Sequence, residues 1–409
     1  MYVLWKMEKI VNENDIWVTG IGVVCSAGSS FVEVTQSILD HRLCAQPTGL
    51  SLPVPMWGIC KDKIHSHPHF IDDRKSLLGL FAAEQAMNDA QQPKGPYSIF
   101  MGTGLSSITP SQLEEDLYPF VKDGSFDREA MARDLHRNTA APARHDPHRF
   151  VRFLKQKYKA TGPCGTNFSA CAAASQAIAE GMRVLRRGDA KVAIVGGHDS
   201  MAHPMGMLSF VVLGALSSTR CRPFDKRRDG FMLGEGSAVL ILERAEDARK
   251  RGVTPYARLC GAGSSIDAWN VTAPHPKGAG AERSMINALR DAGLHHTEID
   301  YINAHGTGTP LGDIAESSAI SRVFGSKTPV SSIKGALGHC IAAAGAIEAV
   351  VCIAALKKQF LPGTFGLEEK ENFEINVVKS AQLISISYTL SNSFGFGGQN
   401  SSLIFGAIN

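Results

Sequence analysis

The chain reads as an α/β protein of stacked layers, built from two successive halves. Strand-like and helix-like segments alternate along nearly its whole length, the pattern of helices laid against sheets. A helix of small apolar residues follows a reactive-looking residue once in each half, Cys171 and His339, which hints at internal duplication. A length of 409 residues, 44% hydrophobic and 20% charged, exceeds one small core and has the composition of a soluble globular protein. The expected halves are residues 1–255, with an insertion at about 106–160, and residues 256–409.

Taken in order, a strand from Ile16 gives way at the glycines of GIGVVCSAG to a helix over Phe31–Leu39. Gly20, Gly22 and Gly28 are expected to break regular structure there. A helix over Ser76–Ala90 precedes a strand over Ser98–Met101. The following GTGLSSI lacks the third glycine and the distant acid of a dinucleotide-binding turn. Residues 112–159 are polar and basic and predict a solvated helical excursion. His65, His67 and His69 alternate around Pro68 without further ligands at metal spacing, so an exposed loop is expected and no metal.

Cys171 precedes a small-residue helix over Ala172–Leu185, followed by a buried strand from Val192. A thiol at the mouth of a helix meets unpaired N–H groups and the positive end of the helix dipole, so a lowered pKa is expected there. The basic run Arg220–Arg228 leads to a strand over Ala238–Leu242 and a helix over Ala245–Arg251. The second half opens with a strand from Tyr256. Helices over Ala281–Ala292, Asp313–Phe324 and Ala342–Lys357 then alternate with strands over Tyr301–Asn303 and Val330–Ser332, and strands around Tyr388 and Leu403 close the chain.

Net charge of +3 argues against a dedicated nucleic-acid binder. Nine cysteines without paired spacing fit a reducing cytoplasm. The N-terminal residues lack the apolar run of an export signal, and the best apolar helix, near Ala342–Leu356, carries Glu348 and is too short to cross a bilayer.

Three further stretches bear on Cys171. NAHGTGTPLGD delivers His305 from a strand into a Gly/Thr turn, SSIKGALGHC carries Lys334 and His339, and NSFGFGGQN allows a tight turn with backbone N–H groups free to face a ligand. Together with VTGIGVVCSAG, SACAAASQAI, GDAKVAIVGG and ALSSTRCRPFDKRRDGFMLGEG, all in the same order, they resemble the β-ketoacyl-acyl carrier protein synthases of the elongating, Cys-His-His type.

The resemblance implies a duplicated thiolase-like fold of five α-β-α-β-α layers and a decarboxylative Claisen condensation. Cys171 is then the nucleophile, the N–H groups of Cys171 and Phe396 form the oxyanion hole, and His305 and His339 serve the malonyl enolate with tautomers fixed by packing. Lys334 and Glu348 match an ion pair beside the second histidine, and Asp313 and Glu316 match supporting carboxylates. Thr307 and Thr309 match the threonines that bond the phosphopantetheine arm. Phe396 matches a gating aromatic, and Leu105, Phe210, Thr272 and Asp313 are expected to contribute to substrate binding.

The implied partners are acyl carrier protein, acyl and malonyl thioesters, and an identical or related subunit, with no nucleic acid and no membrane. No cofactor is expected beyond the phosphopantetheine that the carrier brings. Basic clusters at Arg220–Arg228 and Arg133–Lys159 are docking candidates. Residues 106–162 and Gln399, where the family has Thr, depart from the pattern and suggest a specialised polyketide or polyene pathway as much as fatty acid synthesis. Three alternatives stand: a non-condensing chain-length-factor-like partner, which lacks the Cys, a thiolase, which needs a second Cys, and a starter synthase, which has Cys-His-Asn.

Overall fold

Runs of buried β-branched and small residues lay down one eleven-stranded sheet in this computed structural model, which describes residues 15–50, 54–71, 73–104, 110–137, 146–201 and 203–408. The strands are β1 Ile16–Cys25, β2 Tyr97–Thr103, β3 Cys164–Asn167, β4 Val192–Ser200, β5 Glu235–Arg244, β6 Ala257–Ile266, β7 Tyr301–Asn303, β8 Pro329–Ser331, β9 Asn376–Val377, β10 Tyr388–Gly395 and β11 Gln399–Gly406. Their order is β9-β8-β7-β10-β11-β6-β1-β5-β4-β2-β3.

Outward from the short β1–β6 junction the two arms repeat. One runs β1-β5-β4-β2-β3 and the other β6-β11-β10-β7-β8, each with two antiparallel pairings followed by two parallel ones. Parallel pairs need crossover connections, which supply the helices.

The main helices are α1 Phe31–Leu39, α2 Arg74–Asp89, α3 Arg149–Lys157, α4 Ala173–Arg187, α5 Pro204–Val212, α6 Ala279–Ala292, α7 Pro310–Phe324 and α8 Ala344–Lys358. α4 and α8 touch each other and strands of both arms, so they form a central layer. α2 and α3 cover the outer face of the first arm, α6 that of the second, and α7 packs on α6. The result is five layers, α-β-α-β-α. α8 is buried from Ala344 to Leu356, as a helix apolar on every side must be.

Two expectations need correction. Gly20 and Gly22 do not end the first strand, because β1 continues through both to Cys25. A Cβ at these positions would come within 2.4 Å of the Ala86 carbonyl oxygen and 1.9 Å of the Ala82 carbonyl oxygen, so they admit α2 rather than break the strand. The basic stretch before residue 160 is not wholly solvated either. α3 buries Phe150, Val151 and Leu154 against Ile99 and Met101. Residues 138–145 of that stretch lie outside the described residues. Among the described residues, no helix is long and apolar enough to cross a membrane.

Candidate active site

The two central helices start where the two arms meet, and the tight approach there explains the alanines after Cys171. Ala172, Ala173 and Ala174 are buried. A Cβ on Gly102 would lie 2.4 Å from the Ala174 nitrogen, and one on Gly345 would lie 2.1 Å from Ser175 Oγ. Only small side chains let helices and strands close to this distance, so the run serves packing. Ala170, ahead of Cys171, is held at φ +48°, a strained backbone for a residue with a Cβ.

His339 Nε2 lies 3.0 Å from Cys171 Sγ. His305 completes the group: its ring centroid is 5.3 Å from that of His339, and the Cys171 Sγ and one ring nitrogen of each histidine lie within 4.8 Å of one another. That spacing suits proton transfer and would also admit a cation. β7 ends at Asn303 and delivers His305 into the following turn, while His339 is pinned through its N–H to the Met232 carbonyl at 2.6 Å.

Lys334 is buried behind both histidines, donating to the His305 carbonyl at 2.5 Å and to Glu348. Glu316 accepts the His305 and Gly306 N–H groups at 2.8 and 2.7 Å, clamping the turn that carries His305. Asp313 accepts from Phe224 and Gly308 N–H at 2.7 and 3.1 Å. It is fully buried and has no face on the cavity, so it braces this loop rather than binding substrate.

The electrostatics differ from the sequence expectation at Cys171. Burial pushes its thiol up to about 12, against the pull of Lys334 and of the Phe396 N–H that points at it, so the resting group is a thiol. Burial first and Lys334 second hold both His305 and His339 well below the ordinary histidine range, so both are neutral at working pH. Both Nδ1 atoms are buried without a hydrogen-bond partner among the described residues. Burial also pushes Glu316 and Glu348 up to about 7, with backbone N–H groups opposing at Glu316 and Lys334 at Glu348.

A cavity of about 400 Å³ opens over Cys171. Of the residues expected at the site, Cys171, His305, His339, Thr307, Thr309, Phe210, Thr272 and Phe396 all line it, Lys334 and Glu348 stand behind it, and Gln399 is not part of the lining. Leu105 lies outside the described residues. Thr307 and Thr309 share a 2.9 Å hydroxyl contact. Sequence reasoning missed Asp199, Met201 and Asp267 in the lining. Only Asp199 carried a signal, an acid placed at the end of a buried strand.

The basic run Arg220–Arg228 is largely neutralised within the chain: Arg220 and Arg227 pair with Glu368, Lys226 with Glu369, and Arg228 with Glu371. This leaves less charge for a partner than the sequence suggests.

The family pattern described as "Beta-ketoacyl synthase, N-terminal domain" matches residues 69–248, and "Beta-ketoacyl synthase, C-terminal domain" matches residues 256–368. A Schizosaccharomyces pombe protein named as a mitochondrial 3-oxoacyl-[acyl-carrier-protein] synthase is 35% identical over 354 residues, 80% of each chain. The chain belongs to the β-ketoacyl synthase family. This is a family of acyltransferases, and its members have the thiolase-like fold. The Staphylococcus aureus 3-oxoacyl-[acyl-carrier-protein] synthase 2 is 39% identical over 256 residues, 60% of this chain and 64% of that one. Among solved structures, the ishigamide ketosynthase/chain length factor matches with TM-score 0.84 and 29% identity, covering 97% of this chain and 99% of the other. In this ketosynthase chain, Cys171 and both histidines face one cavity at the meeting of the two arms.

Proposed function

We propose that this chain condenses an acyl thioester held on Cys171 with a malonyl thioester, releasing carbon dioxide and a 3-oxoacyl thioester. The observation that carries the reading is the 3.0 Å contact between Cys171 Sγ and His339 Nε2 in a buried site whose second imidazole is also neutral.

In the first half-reaction Cys171 Sγ gives its proton to His339 Nε2 and attacks the thioester carbonyl. The bond from that carbon to the carrier sulfur breaks, and the departing thiolate recovers the proton from His339. Proton transfer to a neutral base answers the raised thiol pKa, since a free thiolate is scarce here. The N–H groups of Cys171 and Phe396 stabilise the oxyanion of the tetrahedral intermediate.

In the second half-reaction the malonyl carboxylate leaves as carbon dioxide, and the electron pair moves onto the thioester as an enolate. His305 and His339 donate from Nε2 to its oxygen. This second role needs His339 to carry its proton on Nε2, so the imidazole changes tautomer between the two half-reactions. The carbanion attacks the acyl carbonyl, the bond to Cys171 breaks, and the thiolate takes a proton from solvent.

Thr307 and Thr309 are read as partners of the phosphopantetheine arm, Phe210 and Thr272 as pocket walls, and Phe396 as the gate. Lys334 opposes cation binding at the Cys-His-His group by its own positive charge, so we read the group as handling protons, with no resident metal or cofactor. The carrier is proposed to be acyl carrier protein, and the second subunit an identical or related ketosynthase-like chain. The halves are read as 1–255 and 256–409, and the nine free thiols favour the cytoplasm. A non-condensing partner subunit is disfavoured because Cys171, His305, His339 and Lys334 are all in place. A thiolase is disfavoured because the lining holds no second cysteine.

The test is stoichiometry. Incubated with acyl- and malonyl-acyl carrier protein, the protein should release one carbon dioxide per 3-oxoacyl product. Acyl exchange without carbon dioxide would refute decarboxylative condensation.

A further inference from the structure

The two central helices begin alike. Ala170, Cys171 and Ala172 form a 3-10 turn leading into α4, and Ile341, Ala342 and Ala343 form one leading into α8. Each helix then runs 15 residues. The first residue of each turn sits at positive φ, +48° for Ala170 and +43° for Ile341. Cys171 and Ala342 are therefore structural counterparts, and each holds its N–H at the positive end of a central helix.

The two N–H groups have different fates. Cys171 lines the cavity, while the Ala342 N–H donates to Asp199 Oδ2 at 3.0 Å. The other oxygen of Asp199 accepts from Ser200 N–H at 2.8 Å. Asp199 is wholly buried at the end of β4 and also faces the cavity. Gly104 makes room for it, because a Cβ there would fall 2.2 Å from Oδ2. The Gly104 carbonyl accepts from Lys75 Nζ at 3.1 Å, and the Lys75 charge steadies the Asp199 carboxylate.

We propose that Asp199, backed by Lys75, is a positioning residue for the condensing site. Its carboxylate stoppers the counterpart of the oxyanion-binding N–H, ties down the turn that follows His339, and sets the charge that Cys171 meets. This rests on the condensing function proposed above. A duplicated fold brings two helix mouths close to one cavity, whose lining includes Ile341 beside Ala342, and an anionic substrate would be drawn to either. With Ala342 occupied by a carboxylate, only the Cys171 corner receives an oxyanion.

The titratable and charged groups facing Asp199 are Lys75 on α2, Asp73 at the cap of α2, and Cys171 ahead of α4. Burial pushes Asp199 up to about 6, Lys75 and the two N–H donors opposing. It is therefore ionised at neutral pH and neutral in mild acid. Its negative charge raises the Cys171 thiol.

The test uses Asp199→Asn in the full chain, reading Cys171 alkylation by iodoacetamide against pH by intact mass. The folded variant should show its alkylation midpoint lowered, because a like charge is gone. An unchanged midpoint in a variant that melts like the parent would overturn the proposal. Should the variant fail to fold, the parent protein still decides. Hydrogen exchange at the Ala342 amide, corrected for intrinsic rate, should lose protection as pH falls through about 6, while Val350 in the same helix does not. Equal behaviour at the two amides would overturn it. Neither readout needs an acyl substrate, so a failure of the condensing reading would leave both interpretable.

Discussion

Removing the Lys334 ammonium should cost stability and activity for separable reasons. Lys334→Met keeps the volume of the side chain but strips Glu348 of its cation and the His305 carbonyl of a donor. Glu348 is 1% exposed and its Oε2 already lacks a partner among the described residues, so nothing nearby replaces the lost charge. Breaking a buried ion pair from one side costs about 3–5 kcal/mol.

Proton uptake by Glu348 relieves part of that cost. Burial already raises its pKa to about 7, and loss of Lys334 raises it further. A carboxyl with a raised folded pKa contributes stability at low pH that disappears as pH rises through that value. The penalty should therefore be larger at pH 8.5 than at pH 6, changing by at most about 1.4 kcal/mol per pH unit above pH 7 and levelling off below it, where Glu348 is protonated in parent and variant alike. Urea unfolding at the two pH values measures it, alongside Glu348→Gln and the double variant, which should lose less than the two single losses combined. In activity, His305 and His339 lose the second of the two effects that keep them neutral, burial being the first, so the acid limb of the rate profile should move to higher pH. A loss below about 1 kcal/mol at pH 8.5, or one independent of pH, would refute the buried-pair reasoning.

Other variants probe separate parts of the site. Cys171→Ala should abolish condensation while malonyl decarboxylation continues, because the imidazoles remain; carbon dioxide release without product measures this. His339→Ala should slow Cys171 alkylation at pH 7 by about 10²-fold, with the difference closing in strong alkali as the thiol ionises unaided, and an alkylation-rate profile reads it. Glu316→Gln puts an amide N–H against one of two backbone N–H groups and should cost about 1–3 kcal/mol by denaturant midpoint, with a larger fall in decarboxylation than in acylation. Gly22→Ala, whose Cβ would meet the Ala82 carbonyl oxygen at 1.9 Å, should destabilise by about 1–3 kcal/mol or more without moving the pH profile.

Much of this was legible in the sequence because local and global signals agreed. Helices over Phe31–Leu39 and Ala245–Arg251 have the expected bounds, and the strand–helix alternation yields the layers directly. Cys171, His305 and His339 are picked out by the family resemblance of the ordered motifs that carry them, since each alone has a structural reading. What escaped was set by contacts distant in sequence. Gly20 and Gly22 look like strand breakers until α2 lies against them. Helix dipole reasoning points to a lowered Cys171 pKa, whereas burial decides the direction. The acids that neutralise Arg220–Arg228 lie about 140 residues on, at 368–371. Duplication suggested pairing Cys171 with His339, but the backbone pairs Cys171 with Ala342, and that pairing exposes the role of Asp199.

The central claim is that Cys171 carries the acyl group. Intact mass after incubation with a series of acyl-carrier thioesters, for the parent protein and Cys171→Ala, tests it most directly. One acyl adduct should appear on the parent, be absent from the variant, and disappear on addition of malonyl-acyl carrier protein. An adduct that persists in Cys171→Ala, or none on the parent with any chain length, would contradict the account.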